Sequence, residues 1–389
     1  MAAPASATMS TSTPSPRRPW PLLAAALLLG GCAQSGGTLG YYWQSLRGHL
    51  EIMNAARPVQ EWITHPDTSA PLRERLQLAQ RARAFAVDEL ALPDNASYRR
   101  YARLDRTAAV WNVVAAGPYS LTLHRWCFPI TGCIGYRGYF DEPGARAEAA
   151  RLAATGLEVS VYGVPAYSTL GYSNWMGGDP LLSTFIGWPE GDFVRLLLHE
   201  LAHQVAYAEG DTAFNESYAT AVERLGVQRW LQQHATPATR AQFAASEERR
   251  AQWRALTQAT RQRLAEIYAS NGAVAPDHQA LSAIKKEAMQ DFRAAYATLR
   301  ARWLAAHVPE AQLATLDRWV RDANNASFAA QAAYDEGVPA FMALFEREGR
   351  DWRRFHAAVR ALAQAPQAER TAALQALAPQ PPRVAHGGG

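Results

Sequence analysis

Residues 192–207, with the sequence DFVRLLLHELAHQVAY, have the pattern of a helix at the centre of the fold. Its apolar residues cover almost the whole circumference of a helix of about four turns, for which Asp192 is a good N-cap. A helix that is apolar on nearly every side is buried. The sequence therefore predicts His199, Glu200 and His203 inside the core, where polar side chains without partners are costly.

The two histidines of this helix have the spacing of metal ligands. His199 and His203 are four residues apart, so both imidazoles project from one helix face and can bind one zinc ion. Glu200 lies about 100° round the helix axis, where it can take a proton from a zinc-bound water. The alternative is an inert core helix with hydrogen-bonded histidines. Burial and spacing together favour one Zn²⁺ per chain.

A catalytic zinc needs a third protein ligand and an open fourth position. The acidic candidates that follow the helix are Glu209, Asp211, Glu216 and Glu223. Glu216 begins a second helix after a turn, and an antiparallel helix packed on the first could aim it back at the metal. We therefore expect Glu216 as the ligand and keep the other three as alternatives. Glu223 shares the face of Glu216, either behind the ligands or in solvent.

Several blocks of the chain resemble known metallopeptidases. Asn215-Glu216 after the His-Glu helix is similar to the zincins with a glutamate ligand, the gluzincins. A closer resemblance, to the predicted zinc aminopeptidase lipoproteins of Proteobacteria, spans nearly all of residues 32–360. Its other blocks are Gly31-Cys32, Trp126-Cys127-Phe128-Pro129 through Cys133, Tyr136-Arg137-Gly138-Tyr139-Phe140, Val164-Pro165-Ala166-Tyr167-Ser168-Thr169-Leu170-Gly171, Asn324-Asn325-Ala326, Tyr334 and Val338-Pro339-Ala340-Phe341.

This resemblance implies a set of roles. It makes His199, His203 and Glu216 the zinc ligands of a zincin-like catalytic domain, and Glu200 the general base. It also implies the aminopeptidase activity, which no residue pattern indicates by itself. Tyr334 becomes the candidate donor to the tetrahedral oxyanion, because the family pattern keeps a tyrosine there. Without the resemblance, the residue pattern favours an ordinary packed tyrosine of the core at position 334.

Two departures from related metalloproteases concern the second helix. The gap from His203 to Glu216 is shorter than in the thermolysin type, and Thr220 stands where some relatives have an acid that orients the first histidine. The orienting group is therefore unassigned. Residues 168–171 could be a strand or loop along which a substrate backbone lies, or an ordinary surface loop.

The N-terminus has the pattern of a lipoprotein signal. A basic pair precedes the apolar run 21–29 and Gly30-Gly31-Cys32, and about ten apolar residues are too few to span a bilayer, which needs roughly 20. The end of this run resembles a bacterial lipobox, which implies a signal peptide over 1–31 and a lipid on Cys32. Ala33, the residue after this cysteine, resembles the sorting signal of lipoproteins that are anchored in the outer membrane and face the periplasm. The alternative is a secretory signal with a coincidental cysteine.

The two remaining cysteines are predicted to pair. Cys127 and Cys133 would lie in an oxidising compartment and flank Phe-Pro-Ile-Thr-Gly, a turn-forming sequence. Because the loop is short, the disulfide should stabilise the fold by only about 2 kcal/mol. Two reduced, buried thiols are the alternative.

The chain has enough apolar residues for a sizeable core, since 48% of its 389 residues are hydrophobic. Helical periodicity over 44–64, 70–92 and 96–114, the Gly- and Tyr-rich segment 117–140 and the alternating strand 158–164 predict an α+β fold, predominantly α-helical. It should have a small, short-stranded sheet and a long C-terminal helical region. The net charge of +4 is small and spread out, so no nucleic-acid partner is indicated.

We expect a lipidated tether over 32–43, a single domain over 44–377 and a disordered tail over 378–389. Within the domain, sparse hydrophobic residues over 238–306 predict a long exposed helical hairpin. The predicted function is a zinc metallopeptidase that hydrolyses peptides or proteins in the cell envelope. The alternatives are an envelope endopeptidase and a non-catalytic zinc-binding lipoprotein scaffold.

Overall fold

Helices dominate the residues described by the computed structural model, which are 38–128, 132–166, 177–270, 278–332 and 337–377. The strands are few and short, which confirms the predicted α+β, predominantly α-helical fold. The helices are α1 (Thr38–Ala55), α2 (Val59–Thr64), α3 (Ala70–Leu90), α4 (Glu142–Ala153), α5 (Glu190–Ala202), α6 (Thr212–Gln233), α7 (Pro237–Ser270), α8 (His278–Ala305), α9 (Glu310–Asp322), α10 (Asn325–Ala332), α11 (Val338–Arg347), α12 (Trp352–Gln364) and α13 (Gln367–Leu377). The strands are β1 (Arg57–Pro58), β2 (Arg100–Ala102), β3 (Val110–Ala116), β4 (Trp126–Phe128), β5 (Gly132–Ile134), β6 (Arg137–Tyr139), β7 (Glu158–Val164) and β8 (Leu181–Leu182).

The strands of the described residues form three small sheets. Strand β3 lies between β6 and β7 and is antiparallel to both. Strand β2 pairs antiparallel with β1 and parallel with β8, and β4 pairs with β5 as a hairpin. The edge strand predicted over 158–164 is present as β7.

The prediction of a helix over residues 96–114 is wrong. These residues contain β2 and most of β3, and every residue of β3 is buried. A strand that is buried on both faces is a continuous apolar run without alternation, which periodicity cannot distinguish from a buried helix. Pairing with β6 and β7 decides the structure here.

The largest apolar cluster surrounds helices α5 and α6. The apolar residues of α5 lie inside it, with Phe193, Leu197 and Leu201 at most 1% exposed, which confirms that this helix is buried. The other fully buried members of the cluster include Leu90 of α3, Tyr218 and Trp230 of α6, Phe341 of α11 and Phe355 of α12.

Helices α7, α8 and α9 enclose a second apolar cluster. Helices α7 and α8 occupy the segment 238–306, where the sequence predicts an exposed helical hairpin. The prediction that this hairpin is exposed is wrong for one of its faces. Four of its apolar residues or their partners are buried together: Leu264 of α7, Phe292 and Trp303 of α8 and Leu313 of α9. Large aromatic residues at wide spacing are enough to bury a helix face that looks sparse in composition.

Candidate metal centre

Helix α5 carries the predicted site residues at its C-terminal end. It begins at Glu190 after Pro189, so Asp192 lies in the first turn and is not the N-cap. It ends at Ala202, well before residue 207, and His203 is its C-cap with helical φ and ψ. His199 and His203 therefore still face the same way, although the helix is shorter than predicted.

The turn between α5 and α6 is held by the residue next to Glu216. The side chain of Asn215 is 2% exposed and spans the backbone of Ala208. Its Oδ1 accepts from the Ala208 N–H at 2.8 Å, and its Nδ2 donates to the Ala208 carbonyl at 2.9 Å. Asp211 caps α6 by accepting from the Phe214 N–H at 3.0 Å. These bonds fix the position of the first turn of α6 and therefore the position of Glu216.

Three side chains converge at the start of α6. The Nε2 atom of His199 lies 3.2 Å from Nε2 of His203 and 3.3 Å from Oε2 of Glu216. The Glu216 oxygen is 3.8 Å from His203 Nε2. Among the described residues this is the group whose ligand atoms all lie within 4.8 Å of one another, and neither Glu209 nor Asp211 belongs to it.

These donors fit a catalytic zinc site. Two imidazole nitrogens and one carboxylate oxygen are the protein ligands that a hydrolytic zinc takes, with the fourth position open. The three side chains are at most 13% exposed. Burial of a carboxylate and two imidazoles against one another is costly unless a cation or a hydrogen-bond network compensates it.

Glu223 supplies the contact that the sequence left unassigned. Its Oε2 lies 2.9 Å from Nδ1 of His199, on the side of the ring away from Glu216. A carboxylate there orients the ring and favours the tautomer that presents Nε2. Glu223 follows Glu216 by seven residues, and this two-turn spacing was the available signal.

Burial and neighbouring charges shift the pKa values of the two histidines in opposite directions. Burial alone would lower the pKa of His199, but its bonds to Glu216 and Glu223 outweigh this and raise the pKa well above its ordinary value. Burial lowers the pKa of His203 to about 4. His203 is thus neutral near pH 7, which is the form that ligates a metal, whereas a metal bound by His199 would have to displace a proton from its imidazole.

The two glutamates of the site are shifted in opposite directions. Burial would raise the pKa of Glu216, but His203 and His199 lower it below its ordinary value. For Glu200, burial raises the pKa to about 7, and His199 only partly opposes it. A carboxyl whose pKa lies near neutrality is suited to general acid and base work.

Two tyrosines outside the predicted site interact electrostatically with its carboxylates. Burial raises the pKa of Tyr136, and the charges of Tyr136's acidic neighbours Glu216 and Glu200 raise it further. Burial also raises the pKa of Tyr162 of β7, whose hydroxyl bonds to the Asn112 side chain, and the charge of Glu216 adds to that rise. Both rings pack on the cluster that contains Val114 of β3. The sequence reasoning missed Tyr136 because it lies far from the helix in sequence.

Tyr98 is a further buried tyrosine that interacts electrostatically with Glu200. It is 1% exposed, and its backbone has the unusual φ of 62°. Its hydroxyl has no hydrogen-bond partner among the described residues. Burial raises its pKa well above the ordinary value, with contributions from Glu200 and Asp179.

The hairpin of β4 and β5 braces the turn that follows the His-Glu helix. A disulfide joins Cys127 and Cys133, which face each other across the hairpin. Arg125 donates from Nη2 to the Gly210 carbonyl at 3.1 Å and also to the Cys133 carbonyl. The hairpin is thereby tied to the loop between helices α5 and α6.

Five predicted features lie outside the described residues. They are the signal peptide over 1–31, the lipidated Cys32, the segment 168–171, Tyr334 and the disordered tail over 378–389. Their predicted roles stay predictions.

The family of the chain follows from a match along most of its length. A family model described as "Putative aminopeptidase" matches residues 40–374. The chain belongs to this family. Membership supports a peptidase-like function at the level of the family. No curated protein shows a significant match, and no solved structure does either.

The matched region of this aminopeptidase family includes every described element of the site. It contains the sheet of β6, β3 and β7, helices α5 and α6 with the candidate ligands, and the outer helices α7 to α9. Tyr136 and Glu223 therefore lie inside the family region together with the His-Glu helix.

Proposed function

We propose that this protein is a zinc-dependent aminopeptidase. The observation that carries the proposal is the convergence of His199, His203 and Glu216 beside Glu200, in a chain of an aminopeptidase family. When bound by these three residues, Zn²⁺ would polarise a peptide carbonyl and lower the pKa of water.

Glu200 performs the proton transfers in this proposal. As a carboxylate it takes a proton from the attacking water, and as a carboxylic acid it gives that proton to the leaving amine. Its pKa of about 7 suits both steps, because neither form is strongly favoured near neutral pH. Glu223 keeps His199 in the orientation that the site requires.

The donor to the developing oxyanion is a tyrosine hydroxyl in this proposal. Tyr334 is the candidate that the family resemblance implies. Tyr136 is a second candidate, since the charges of Glu216 and Glu200 act on its phenol and raise its pKa. A preorganised donor at that position acts by stabilising negative charge that exists only in the transition state.

Two alternatives to a zinc-dependent aminopeptidase differ from it in the reaction that they carry out. An envelope endopeptidase would use the same groups on internal peptide bonds. A non-catalytic scaffold would bind zinc through the same ligands and hydrolyse nothing.

A test combines metal content with activity. We expect about one zinc per chain in residues 33–389, loss of most of it in Glu216→Gln and retention in Glu209→Gln, whose side chain is exposed. Glu200→Gln should keep zinc and lose activity by about 10²- to 10⁴-fold. Substrates with a free and an acetylated N-terminus separate the enzymes, because only an endopeptidase cleaves the blocked peptide. A wild type that binds zinc but cleaves neither peptide supports the scaffold.

We also propose a lipid anchor on Cys32 in the bacterial envelope, facing the periplasm and attached to the outer membrane. No helix of the described residues is long and apolar enough to cross a membrane. The proposal rests on the signal pattern before Cys32. Membrane fractionation tests it: the full chain should sediment with outer membranes, and Cys32→Ser should not. Equal distribution of both would contradict the anchor.

A further inference from the structure

A row of ion pairs leads from the metal centre to the outer helix α7. Glu223, whose Oε2 contacts His199, has its other oxygen 3.7 Å from Nε of Arg195. Arg195 Nη1 lies 3.1 Å from Oε1 of Glu247 on α7. Charges alternate along the row, so each group faces a partner of opposite sign.

The row closes into a ladder between helices α5 and α7. Glu247 also pairs with Arg250, and Arg250 Nη1 returns to Oδ1 of Asp192 at 2.6 Å. Asp192 and Arg195 are three residues apart on α5, and Glu247 and Arg250 are three apart on α7. Residues at this spacing are neighbours on one helix face, so two rungs join the two helices.

The position of Arg195 explains why this ladder reaches the metal site. Arg195 is one helical turn before His199, so both side chains lie along the same face of α5. Glu223 sits between them, with one oxygen for each. The side chains of Arg195 and Glu223 are 25% and 14% exposed, and the interaction is therefore less screened than a surface pair.

We propose that Arg195 is a positioning residue that holds the Glu223 carboxylate on His199, and that Glu247 of α7 holds Arg195 in place. The inference rests on the proposed zinc site. Without Arg195, Glu223 can rotate away from the imidazole. Without Glu247, Arg195 is free to form a closer pair with Glu223 and compete with His199. The outer helical layer thus sets the metal affinity of the centre.

Zinc affinity measured by competition with a chromophoric chelator tests the proposal. We expect Arg195→Met to weaken zinc binding by about tenfold, at the lower end of what loss of an outer contact costs. Arg195→Lys should restore part of the loss, and Glu247→Gln should weaken binding less than Arg195→Met. Arg263→Met is the matched control, since it removes an exposed ion pair of α7 with Asp291 on α8.

A second measurement detects the contact between Glu223 and His199 directly and needs neither bound metal nor enzymatic activity. In zinc-free protein, ¹⁵N-resolved NMR should show the hydrogen-bonded Nδ1 proton of His199 in the wild type and in Arg263→Met, and its loss in Arg195→Met. Unchanged zinc affinity and an unchanged His199 signal in folded Arg195→Met and Glu247→Gln would overturn the inference and leave the zinc site standing. Equal weakening by Arg263→Met would also overturn it. A wild type that binds no zinc would overturn both.

Discussion

At the scale of single residues, Glu200 and Glu216 show how position divides one residue type between two roles. Both are buried beside histidines, and burial pushes both pKa values up. Glu216 also faces His199 and His203 together, and their attraction reverses the shift. Glu216 is therefore held as a carboxylate, suited to ligation, whereas Glu200 can exchange a proton near neutral pH.

The choice between two tyrosines is a prediction at the same scale. If Tyr136 donates to the oxyanion, Tyr136→Phe should lower kcat by about 10²- to 10³-fold with little change in KM, because the bond exists only in the transition state. Tyr162→Phe is the control, since that hydroxyl is already bonded to Asn112. Steady-state kinetics on zinc-loaded protein measures the effect. Normal kcat in Tyr136→Phe with a large loss in Tyr334→Phe would assign the role to Tyr334.

At the scale of elements, the start of α6 depends on one buried amide. Asn215 accepts from the Ala208 N–H and donates to the Ala208 carbonyl, which also accepts from the Asp211 N–H at 3.2 Å, so Asn215→Ala leaves the buried N–H without a partner. We expect the free energy of unfolding to fall by about 1–3 kcal/mol, together with weaker zinc binding because Glu216 is adjacent. Denaturant unfolding measures the first effect. Exposed Gln232→Ala on the same helix should change stability by less than about 0.5 kcal/mol, and an equally small effect of Asn215→Ala would refute the clamp.

At the scale of the whole molecule, His356 joins three helices of the main core. It lies on α12, is 1% exposed, and its Nδ1 is 2.8 Å from the Tyr218 hydroxyl of α6. Its Nε2 lies 2.9 Å from the Leu90 carbonyl at the end of α3. The neutral tautomer satisfies both contacts, with Nε2–H donating to the carbonyl and Nδ1 accepting from the hydroxyl.

This joint predicts a pH dependence of stability. Burial lowers the pKa of folded His356 to about 4 from the ordinary 6.5, so between these values the unfolded chain binds the extra proton. Stability should therefore fall as pH drops from 6.5 to 4, by about 3 kcal/mol from this residue, and be unaffected by it above 6.5. Unfolding midpoints across pH should fall less steeply for His356→Gln, which cannot titrate. Parallel curves would show that His356 makes no contribution.

The parts of the fold that could be predicted are those set by short-range periodicity. His199 and His203 share a face because any helix places residues four apart together, and the apolar surroundings predicted burial. The length of α5 could not be predicted, since its end at Ala202 depends on the turn that Asn215 clamps from α6. Strand β3 also depends on contacts with other elements. Its composition looks helical, but its pairing with β6 and β7 makes it a strand.

Residue spacing and composition were enough to predict the pair of histidines, the adjacent glutamate, the burial of their helix and the α+β class. Each follows from spacing within a few turns of one helix or from overall pattern. The packing of the elements brings Glu223 to His199 and Arg195 to Glu247, and it exposes Tyr136 to the charges of Glu216 and Glu200. These contacts join residues from different elements, and their geometry depends on how the helices and the sheet pack, which local periodicity does not encode.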